Sequence, residues 1–401
     1  MKILVLNSGS SSLKFQLFMK ADLSVLASGL VEQIGAGGGA ARLTFIDAAG
    51  LEQTIQQNLP VSDHRAAIKL MSEMLRESET LSDMNELAGI GHRVVHGGEA
   101  FHQPVCIDEA VIGAIKALTP LAPLHNPANL TGIRVALENA PQVPQVAVFD
   151  TAFHQSIPEH AYLYALPYSL YEKQKIRRYG FHGTSHSYVA RQAALHLDKP
   201  MEKLNIITLH LGNGASAAAI QGGRCIDTSM GLTPLEGLVM GTRSGDLDPA
   251  ILFYLGRQSG LDTDALDKML NKQSGLKGIC GENDMRTISQ KAEDGDKRAK
   301  LALAIFSYRI KKYIGAYMAA LGGVDCIVFT GGIGENSALV RQMSCQGMER
   351  LGLLVDSSKN EIRQKETLEF QTPGSQVKLL VIPTNEEYEI ANQTLQVINK
   401  L

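Results

Sequence analysis

Arginines, histidines and glycines cluster in short segments of this 401-residue sequence, where their side chains could hold an anion. The segments cover residues 93–99, 125–127, 178–184 and 241–246, with a further acid at Asp150. A guanidinium binds two oxygens at once, so an arginine among glycines is a good clamp for a carboxylate or a phosphate. One such arginine is usually a surface ion pair. Two arginines with two histidines and several glycine turns favour phosphoryl transfer.

Familiar motifs of nucleotide-binding and hydrolytic proteins are missing. The sequence has no G-x-x-x-x-G-K-[ST] P-loop, no G-x-G-x-x-G after a strand, no G-x-S-x-G elbow and no H-E-x-x-H pair. Glycine turns at strand ends could hold a phosphate instead, because backbone N–H groups approach an anion closely where no Cβ intervenes.

Few residues stand out as metal ligands. Asp150 closes a strand-like run and Glu386 begins a helix-like one, and Mg²⁺ prefers carboxylates and phosphate oxygens. Either acid could equally be a helix cap or a turn residue. His92 and His96 have the i, i+4 spacing of two zinc ligands on a helix. Their segment is flanked by glycines and β-branched at its centre, which predicts a strand end instead.

Short apolar runs alternate with helical patterns, as in an α/β protein. Strands are predicted over residues 3–6, 146–149, 206–211, 326–330 and 379–382. Helices are predicted with N-caps at Asp108, Asn126 and Asp248, with a stop at Gly260, and over residues 296–321 and 386–401. In the longest helix the predicted apolar positions are Leu301, Ile305, Tyr308, Ile314 and Met318.

Glycine clusters follow several of these strands, and one design occurs twice. Residues 5–15 have the pattern of a strand, a polar Gly/Ser turn and a second strand, and residues 209–217 repeat it in the second half of the chain. Two such hairpins suggest a duplicated fold whose turns face one cleft, although Gly/Ser hairpins are common enough for coincidence. The Gly/Ala-rich residues 35–50 are interpreted as a surface loop without function.

Composition excludes several classes of protein. Hydrophobic residues make up 44% and charged residues 20%, which argues against disorder. The net charge of −3 offers no basic field for nucleic acid or a membrane surface. Five cysteines without a C-x-x-C, no signal-peptide pattern and no membrane-length apolar run predict a cytoplasmic protein. The length of 401 residues predicts two or three domains.

Residues 7–14 resemble one signature stretch of the acetokinase family, the acetate kinases. Residues 150–154, taken with 178–186, are similar to the other signature, and the resemblance covers essentially the whole chain. It implies an α/β fold of two similar domains around a hinged cleft, of the actin, hexokinase and heat-shock chaperone (ribonuclease H-like) type.

Under this resemblance, residues 1–150 with the C-terminal helix 386–401 would form the N-terminal domain, and residues 151–385 the ATP-binding domain. The implied activity is reversible, Mg²⁺-dependent transfer of the γ-phosphoryl group of ATP to acetate by direct in-line attack. The products are acetyl phosphate and ADP. Mn²⁺ is an alternative ion, and the family works as a homodimer.

Catalytic roles carry over by position. Arg93 and Arg243 match the two arginines that hold the carboxylate and the transferring phosphoryl group. His182 matches the histidine that hydrogen-bonds this group in the transition state, and His125 lies nearby. Asp150 matches the aspartate beside the metal and acetyl phosphate.

Metal and nucleotide residues follow from the same match. Asn7 corresponds to a residue near magnesium and phosphate, and Glu386 to the magnesium carboxylate. The ATP-binding positions are Lys14, His210, Leu211, Gly212, Asn213, Gly214, Asp284, Met285, Arg286, Gly332, Ile333, Gly334, Glu335 and Asn336. Met285 replaces a phenylalanine common in the family, which predicts changed adenine packing without loss of ATP binding. Lys14 could equally be a structural residue of the first hairpin.

The chemistry needs no general base, because a carboxylate with a pKa of about 4–5 is already ionised at pH 7. The difficulty is repulsion between two anions and the charge on the oxygens of the moving phosphoryl group. Magnesium, two arginines and a histidine donor would therefore catalyse by positioning and by charge stabilisation.

The methyl group of the acid would meet a small pocket at Val95, Leu124, Phe181 and Pro234. A valine at 95 leaves less room than the alanine typical of propionate-preferring relatives, which favours acetate over the alternative of a propionate or butyrate kinase. One methylene is worth about 1–3 kcal/mol in such a pocket, so propionate should still react slowly.

Two other classes stay open from the residues alone. A nucleotide-operated binding or structural protein, such as actin, would keep the hairpins without needing Arg93, Arg243 and His182 to converge. A noncatalytic relative is disfavoured by the intact set of charged residues.

Overall fold

The computed structural model describes residues 1–123, 125–364 and 366–400. The chain divides into two compact units, Met1–Ala152 with Asn385–Leu401 and Phe153–Thr384. That residues 151–385 form an ATP-binding domain stays a prediction.

Strands and helices alternate through both units. The strands are β1 (Lys2–Ser8), β2 (Ser12–Met19), β3 (Val25–Glu32), β4 (Ala40–Ile46), β5 (Glu52–Asn58), β6 (Leu87–Val94), β7 (Val105–Cys106), β8 (Gln145–Phe149), β9 (Asn205–Leu211), β10 (Ala215–Gln221), β11 (Arg224–Thr228), β12 (Cys326–Thr330), β13 (Leu368–Glu369) and β14 (Lys378–Val381). The helices are α1 (His64–Glu77), α2 (Glu109–Ala117), α3 (Asn126–Asn139), α4 (Glu159–Tyr162), α5 (Tyr168–Gln174), α6 (Gly183–His196), α7 (Ala250–Ser259), α8 (Thr263–Lys272), α9 (Gly275–Cys280), α10 (Met285–Glu293), α11 (Lys297–Leu321), α12 (Gly331–Asn336), α13 (Ala338–Cys345), α14 (Ser357–Asn360) and α15 (Glu386–Ile398). Short 3-10 helices cover Met84–Glu86, Thr119–Leu121, Ala152–Ser156, Met201–Lys203 and Glu349–Leu351.

Each unit contains one mixed sheet, and the two sheets share a topology. The strand order is β5-β4-β3-β2-β1-β6-β8-β7 in the first unit and β11-β10-β9-β12-β14-β13 in the second. In both, an antiparallel hairpin (β1–β2 or β9–β10) is followed by two parallel neighbours (β6 and β8, or β12 and β14). The predicted pair of hairpins is therefore present, and it belongs to a six-strand pattern that β4 and β5 extend in the first unit.

Both faces of the first sheet are covered, which explains why β1 is a continuous apolar run. Leu4 and Leu6 belong to a core cluster with residues of α1 and α3, whereas Ile3 and Val5 on the opposite face cluster with residues of α15. The helix α15 packs so closely against β6 that a Cβ on Gly91 would overlap the hydroxyl of Thr394.

The five predicted strands are confirmed, although the last one ends at Val381, one residue before the predicted Ile382. Asp108 caps α2 through the amide of Val111, and Gly260 ends α7 in a left-handed conformation, as predicted. The N-cap predictions for Asn126 and Asp248 are wrong, and Pro249 is the N-cap of α7. The helix α3 begins at Asn126 with His125 as its N-cap, and the Asn126 side chain bonds the backbone of His96 instead.

Two further predictions need correction. Residues 35–50 contain the strand β4, so they are not only a loop. The helix α11 lies where predicted, with Asp296 as its N-cap, but Leu301 and Tyr308 are 52% and 63% exposed. Its buried face includes Ala302, Phe306 and Ile310. This helix carries apolar residues around much of its circumference, so spacing alone did not identify the packed side.

None of the helices in the described part of the chain combines the length and the apolarity that a membrane crossing requires.

Candidate active site

In the first unit, three of the candidate residues meet at one edge of the sheet. The strands β1, β6 and β8 are parallel neighbours, so their carboxyl ends lie together. Asn7 is near the end of β1, Arg93 near the end of β6, and Asp150 directly follows β8. Arg93 donates from Nε and Nη2 to both carboxylate oxygens of Asp150 at 2.6–3.1 Å, and from Nη1 to Oδ1 of Asn7 at 3.4 Å.

The Arg93–Asp150 pair is enclosed, since the Asp150 side chain is 1% exposed and that of Arg93 21%. Burial raises the pKa of the Asp150 carboxyl above its ordinary value, and the Arg93 guanidinium opposes that shift. Burial alone would lower the pKa of Arg93, but the charges of Asp150, Glu386 and Glu387 outweigh it and raise the pKa. The guanidinium is therefore permanently charged and held in one plane.

Two asparagines hold this edge together, a role that the sequence predicted for neither. Asn129 in α3 donates to the carbonyl of Ser8 at 2.7 Å and accepts from the amide of Val95 at 3.1 Å. Asn126 accepts from the amide of His96 and donates to its carbonyl, both at 3.2 Å. Each amide side chain thus hydrogen-bonds backbone groups that have no partner strand where the sheet ends. Only their position beside the Asn-Pro helix start could have suggested them.

The N-terminus of α15 adds acidic side chains to the same unit. Glu386 is the first residue of α15, and its charge acts on both Arg93 and Asp150. Glu387 pairs with Lys14 at 2.6 Å, and Lys14 is cross-strand neighbour of Asn7 in the first hairpin. The Lys14 side chain is 56% exposed, so this ion pair explains its position without requiring a ligand.

The oxygen donors of Asn7, Asp150 and Glu386 are the chemical type that Mg²⁺ binds. In the described residues no three His, Cys, Asp or Glu side chains form a closed ligand group. Two carboxylates and one amide nevertheless fit an ion that keeps several waters and takes further oxygens from a substrate phosphate.

The remaining predicted residues of this unit that the structure describes lie in or beside β6 or at the start of α3. His125 precedes α3, and its charge acts on Asp150. Val95 is 8% exposed and follows β6. Leu124 lies outside the described residues. His92 lies within β6 and is hydrogen-bonded to Gln145 at 2.8 Å, so the predicted strand end is confirmed and a helical zinc pair is not formed.

In the second unit, a turn brings the predicted histidine and arginine together. The hairpin β9–β10 turns at Gly212–Gly214, where Gly212 donates to the carbonyl of Gly214 at 2.9 Å. A Cβ on Gly214 would lie 3.5 Å from Cε1 of His182 and 3.6 Å from Nη1 of Arg243. Both side chains therefore flank the tip of this turn.

His182 is held in an unusual conformation. It precedes α6 with φ of 58°, a left-handed value that costs a non-glycine residue about 1–3 kcal/mol. Its Nδ1 bonds Oγ of Ser216 at 2.9 Å, and its ring stacks on that of His210 at 4.3 Å between centroids. Such strain is typical of functional sites, where the surroundings impose the conformation.

Arg243 lies in a loop without regular structure. Its Nη1 donates to the carbonyl of Pro234 at 3.1 Å, which places two of the predicted residues in contact. Burial lowers the pKa of Arg243, and no acid contributes to the shift. Phe181 is 2% exposed, and its carbonyl accepts from Nε2 of His154 at 2.9 Å.

One arginine of the predicted anion-binding segments is structural. Arg178 donates to Glu236 at 2.7 Å and to the carbonyls of Thr228, Ser229 and Met230. Its guanidinium is thus committed to the backbone of the loop that leads to Pro234.

The segment 331–336 lies against the same turn. Gly331 begins α12 with φ of 76°, and a Cβ there would approach the carbonyl oxygen of Leu211 to 2.8 Å. Glu335 accepts from the amides of Gly331 and Thr384 at 2.9 and 3.2 Å, so its carboxylate closes the start of this helix. Asn336 donates to the carbonyl of Gly332 at 3.0 Å.

The segment 284–286 forms the start of α10. Asp284 caps the helix through the amides of Arg286 and Thr287 and pairs with the Arg286 guanidinium at 2.6 Å. Met285 is buried, whereas the Arg286 side chain is 91% exposed. The preceding Asn283 donates to Oδ1 of Asn213 at 3.3 Å, which connects this segment to the turn.

Known proteins resemble this chain in sequence and in fold. The chain is 55% identical over 401 residues to the acetate kinase of Syntrophobacter fumaroxidans, with 100% of this chain and 98% of that one covered. The crystal structure of the Porphyromonas gingivalis acetate kinase matches with a TM-score of 0.92 and 44% identity, covering 99% of both chains. A propionate kinase structure from Francisella tularensis matches with a TM-score of 0.92 and 45% identity, again over 99% of both.

The fold is therefore the predicted two-domain one of that family. The model of the acetokinase family matches residues 2–392, and with relatives of this identity over the full length, the chain belongs to the acetokinase family.

Proposed function

We propose that this protein transfers the γ-phosphoryl group of ATP reversibly to acetate, giving acetyl phosphate and ADP. The proposal rests on one observation above all: each unit presents a half-buried arginine close to its hairpin, Arg93 beside Asn7 and Arg243 beside Gly214. Family membership supplies the reaction class, and these residues supply cations where the reaction needs them.

In the first unit, Arg93 binds the carboxylate of the acid, and Asp150 orients the guanidinium through its two-oxygen contact. Asn7, Asp150 and Glu386 would hold Mg²⁺, or Mn²⁺ in its place. Bound there, the ion would neutralise charge on the phosphates. His125 is assigned beside the same group.

In the second unit, Arg243 and His182 bind the moving phosphoryl group. The turn His210–Gly214 runs along the phosphates of ATP, with backbone N–H groups as donors. Residues 284–286 and 332–336 flank the adenosine, and Lys14 of the first unit is assigned to ATP as well. Support comes from the positions of His182 and Arg243 on either side of Gly214.

In the reaction one bond to phosphorus forms and one breaks. A carboxylate oxygen of the acid forms a bond to the γ-phosphorus, the bond from that phosphorus to the β-γ bridging oxygen breaks, and ADP leaves. No proton is transferred, because the acid is already ionised at neutral pH. Positioning and cation stabilisation therefore account for the catalysis.

Acetate is favoured over propionate because Val95 leaves little room beyond a methyl group. Leu124, Phe181 and Pro234 are assigned to the same pocket. Propionate is the second candidate, since one of the similar solved structures is a propionate kinase. The difference in one methylene should appear as a ratio of kcat/KM and not as all or nothing.

A homodimer in the cytoplasm is the proposed physiological form. Five free cysteines in the described residues fit a reducing compartment. The helix α7 exposes Phe253 and Tyr254 by 66% and 59%, which supports an apolar contact between two chains. Light scattering should give twice the mass of one chain, and a dimer mass unchanged by Phe253→Glu would place the contact elsewhere.

Trapping of acyl phosphate with hydroxylamine tests the function. Purified protein with ATP and Mg²⁺ should form product from acetate with the highest kcat/KM, less from propionate and least from butyrate. A preference for propionate would retain the chemistry and overturn the substrate. Absence of product from every acid, in protein that binds ATP, would overturn the function.

A further inference from the structure

His182 and three side chains behind it in the second unit form a continuous chain of hydrogen bonds. Nδ1 of His182 bonds Oγ of Ser216 at 2.9 Å, and the same Oγ bonds Nε2 of His186 at 2.7 Å. Nδ1 of His186 bonds Oγ1 of Thr208 at 2.7 Å. Ser216 lies in β10 and Thr208 in β9, so the hairpin that carries the Gly214 turn also carries this chain.

The three members behind His182 are closed off from solvent. Thr208, His186 and Ser216 are each 0% exposed. Burial lowers the pKa of His186 well below 6.5, and the neighbouring His154 and His210 act in the same direction. His186 is therefore a neutral imidazole with a single N–H, so it donates at one nitrogen and accepts at the other.

The Thr208 hydroxyl, at the far end of the chain from His182, determines which group donates in each hydrogen bond. Within the part of the chain that the structure describes, the Thr208 hydroxyl has one hydrogen-bond partner, Nδ1 of His186. A buried hydroxyl that donates to nothing costs about 1–3 kcal/mol. Thr208 must therefore donate to Nδ1 of His186, which leaves the single proton of that ring on Nε2.

The remaining links follow from that proton. Nε2–H of His186 donates to Oγ of Ser216, and the Ser216 hydroxyl, with no other partner in the described residues, donates to Nδ1 of His182. Nδ1 of His182 is then an acceptor. A neutral His182 consequently carries its proton on Nε2, one of the two ring atoms nearest to Gly214. The opposite direction would leave the Thr208 hydroxyl without an acceptor.

We infer that Thr208, His186 and Ser216 are positioning residues that act as a one-way hydrogen-bond chain, fixing His182 as the tautomer whose Nε2–H is offered as a donor. The inference deepens the proposed function, on which it rests for the role of His182. Which nitrogen of a histidine carries the proton is set by the partner of the other nitrogen. The chain supplies that partner without touching the substrates.

Nitrogen-15 NMR of histidine-labelled, substrate-free protein at pH 8 tests the chain directly. The signals separate protonated from unprotonated ring nitrogens, and the spectra of H182Q and H186Q assign the two residues. Wild type should show Nε2 protonated and Nδ1 unprotonated in both rings. A proton on Nδ1 of either ring in wild type would overturn the inference.

Two matched variants separate the chain from mere packing. Thr208→Val keeps the shape of the side chain and removes the hydroxyl, whereas Thr208→Ser keeps the hydroxyl. Thr208→Val should mix the tautomers of His182 and lower kcat about tenfold with KM for ATP unchanged, as expected for a group that orients another. Thr208→Ser should restore the wild-type spectrum and kcat. Ser216→Ala should mix the tautomers in the same way, even if Thr208→Val fails to fold.

An unchanged His182 spectrum in both folded variants, Thr208→Val and Ser216→Ala, would overturn the chain. Failure of the proposed function is distinguishable. In that case wild type would make no acyl phosphate while its NMR spectrum still showed the expected tautomers.

Discussion

Arg93 and Asp150 face each other from the ends of adjacent parallel strands, with three N–H···O contacts of 2.6–3.1 Å between them. Arg243 in the second unit has no such partner, and it donates to the carbonyl of Pro234. The two arginines are therefore assigned similar chemistry but stand in different electrostatic surroundings. That difference separates their contributions to stability from their contributions to catalysis.

Arg93→Ala should impair both folding and turnover. Removing the guanidinium leaves the Asp150 carboxylate buried and unpaired, which costs about 3–5 kcal/mol of unfolding free energy. Turnover should fall at least about 10²-fold. Urea unfolding and the acyl phosphate assay measure the two effects. Arg65→Ala, which removes an exposed pair with Glu138, is the control and should change neither by much.

Arg243→Ala should lower turnover by a similar factor of at least about 10² without the loss of stability. Its charge is partly buried and its pKa is lowered by burial alone, so its removal leaves no acid unpaired. The same two assays apply. Near-normal turnover of the folded variant would refute its role, and a loss of stability as large as that of Arg93→Ala would contradict the electrostatic distinction.

Glu386→Gln should raise the Mg²⁺ concentration needed for half-maximal activity about tenfold, which corresponds to about 1.4 kcal/mol. The substitution removes one negative charge beside Asp150 while keeping the shape of the side chain. A titration of activity with Mg²⁺ measures it. Glu138→Gln, on the surface of the same unit, is the matched control, and an equal shift in both variants would argue against a metal role for Glu386.

Val95→Ala should move the preference toward propionate. The change frees the space of two methyl groups, and the kcat/KM ratio of propionate to acetate should rise about tenfold. Val148→Ala, in the sheet core of the same unit, controls for general loosening. An unchanged ratio in Val95→Ala would show that this side chain does not limit the acid.

The lowered pKa values of two buried histidines predict how the free energy of unfolding depends on pH. Burial lowers the pKa of His92 to about 4, from 6.5 in the unfolded chain, and His154 behaves alike. Below pH 6.5 the unfolded chain binds protons that the folded chain excludes, so stability is level above pH 6.5 and falls toward pH 4. His92→Gln should reduce that slope by about 1.4 kcal/mol per pH unit, measured by urea unfolding between pH 4.5 and 6.5. An unchanged slope would mean that His92 is protonated in the folded state.

The sequence patterns predicted the elements that are locally encoded. The strands β1, β8, β9, β12 and β14 are apolar runs bounded by turn residues. Asp108 and Asp296 each stand directly before a helical pattern, so both caps can be identified from a few neighbouring residues. The strand β5 was missed, because Glu52–Asn58 contains a single large apolar residue and is exposed along most of its length. Its strand conformation comes from pairing with β4, which no local pattern records.

The candidate site divides in the same way. Glycine turns and the arginines beside them stand out by residue type. Asn129 and Ser216 do not, because each acts through a partner far along the chain, Ser8 and His186 respectively. Such contacts arise only when strands and helices pack, so the sequence predicted candidate groups for the chemistry but not the groups that hold them in place.

In the proposed reaction, a carboxylate oxygen of acetate attacks the γ-phosphorus of ATP. Phosphorus-31 NMR of the products formed from ATP and acetate labelled with ¹⁸O at both oxygens tests it most directly. We expect ADP together with acetyl phosphate in which one ¹⁸O is bonded to phosphorus, seen as an isotope shift of that phosphorus signal. ADP and inorganic phosphate formed equally with and without acetate would contradict it, and would place the protein among the nucleotide-operated binding proteins.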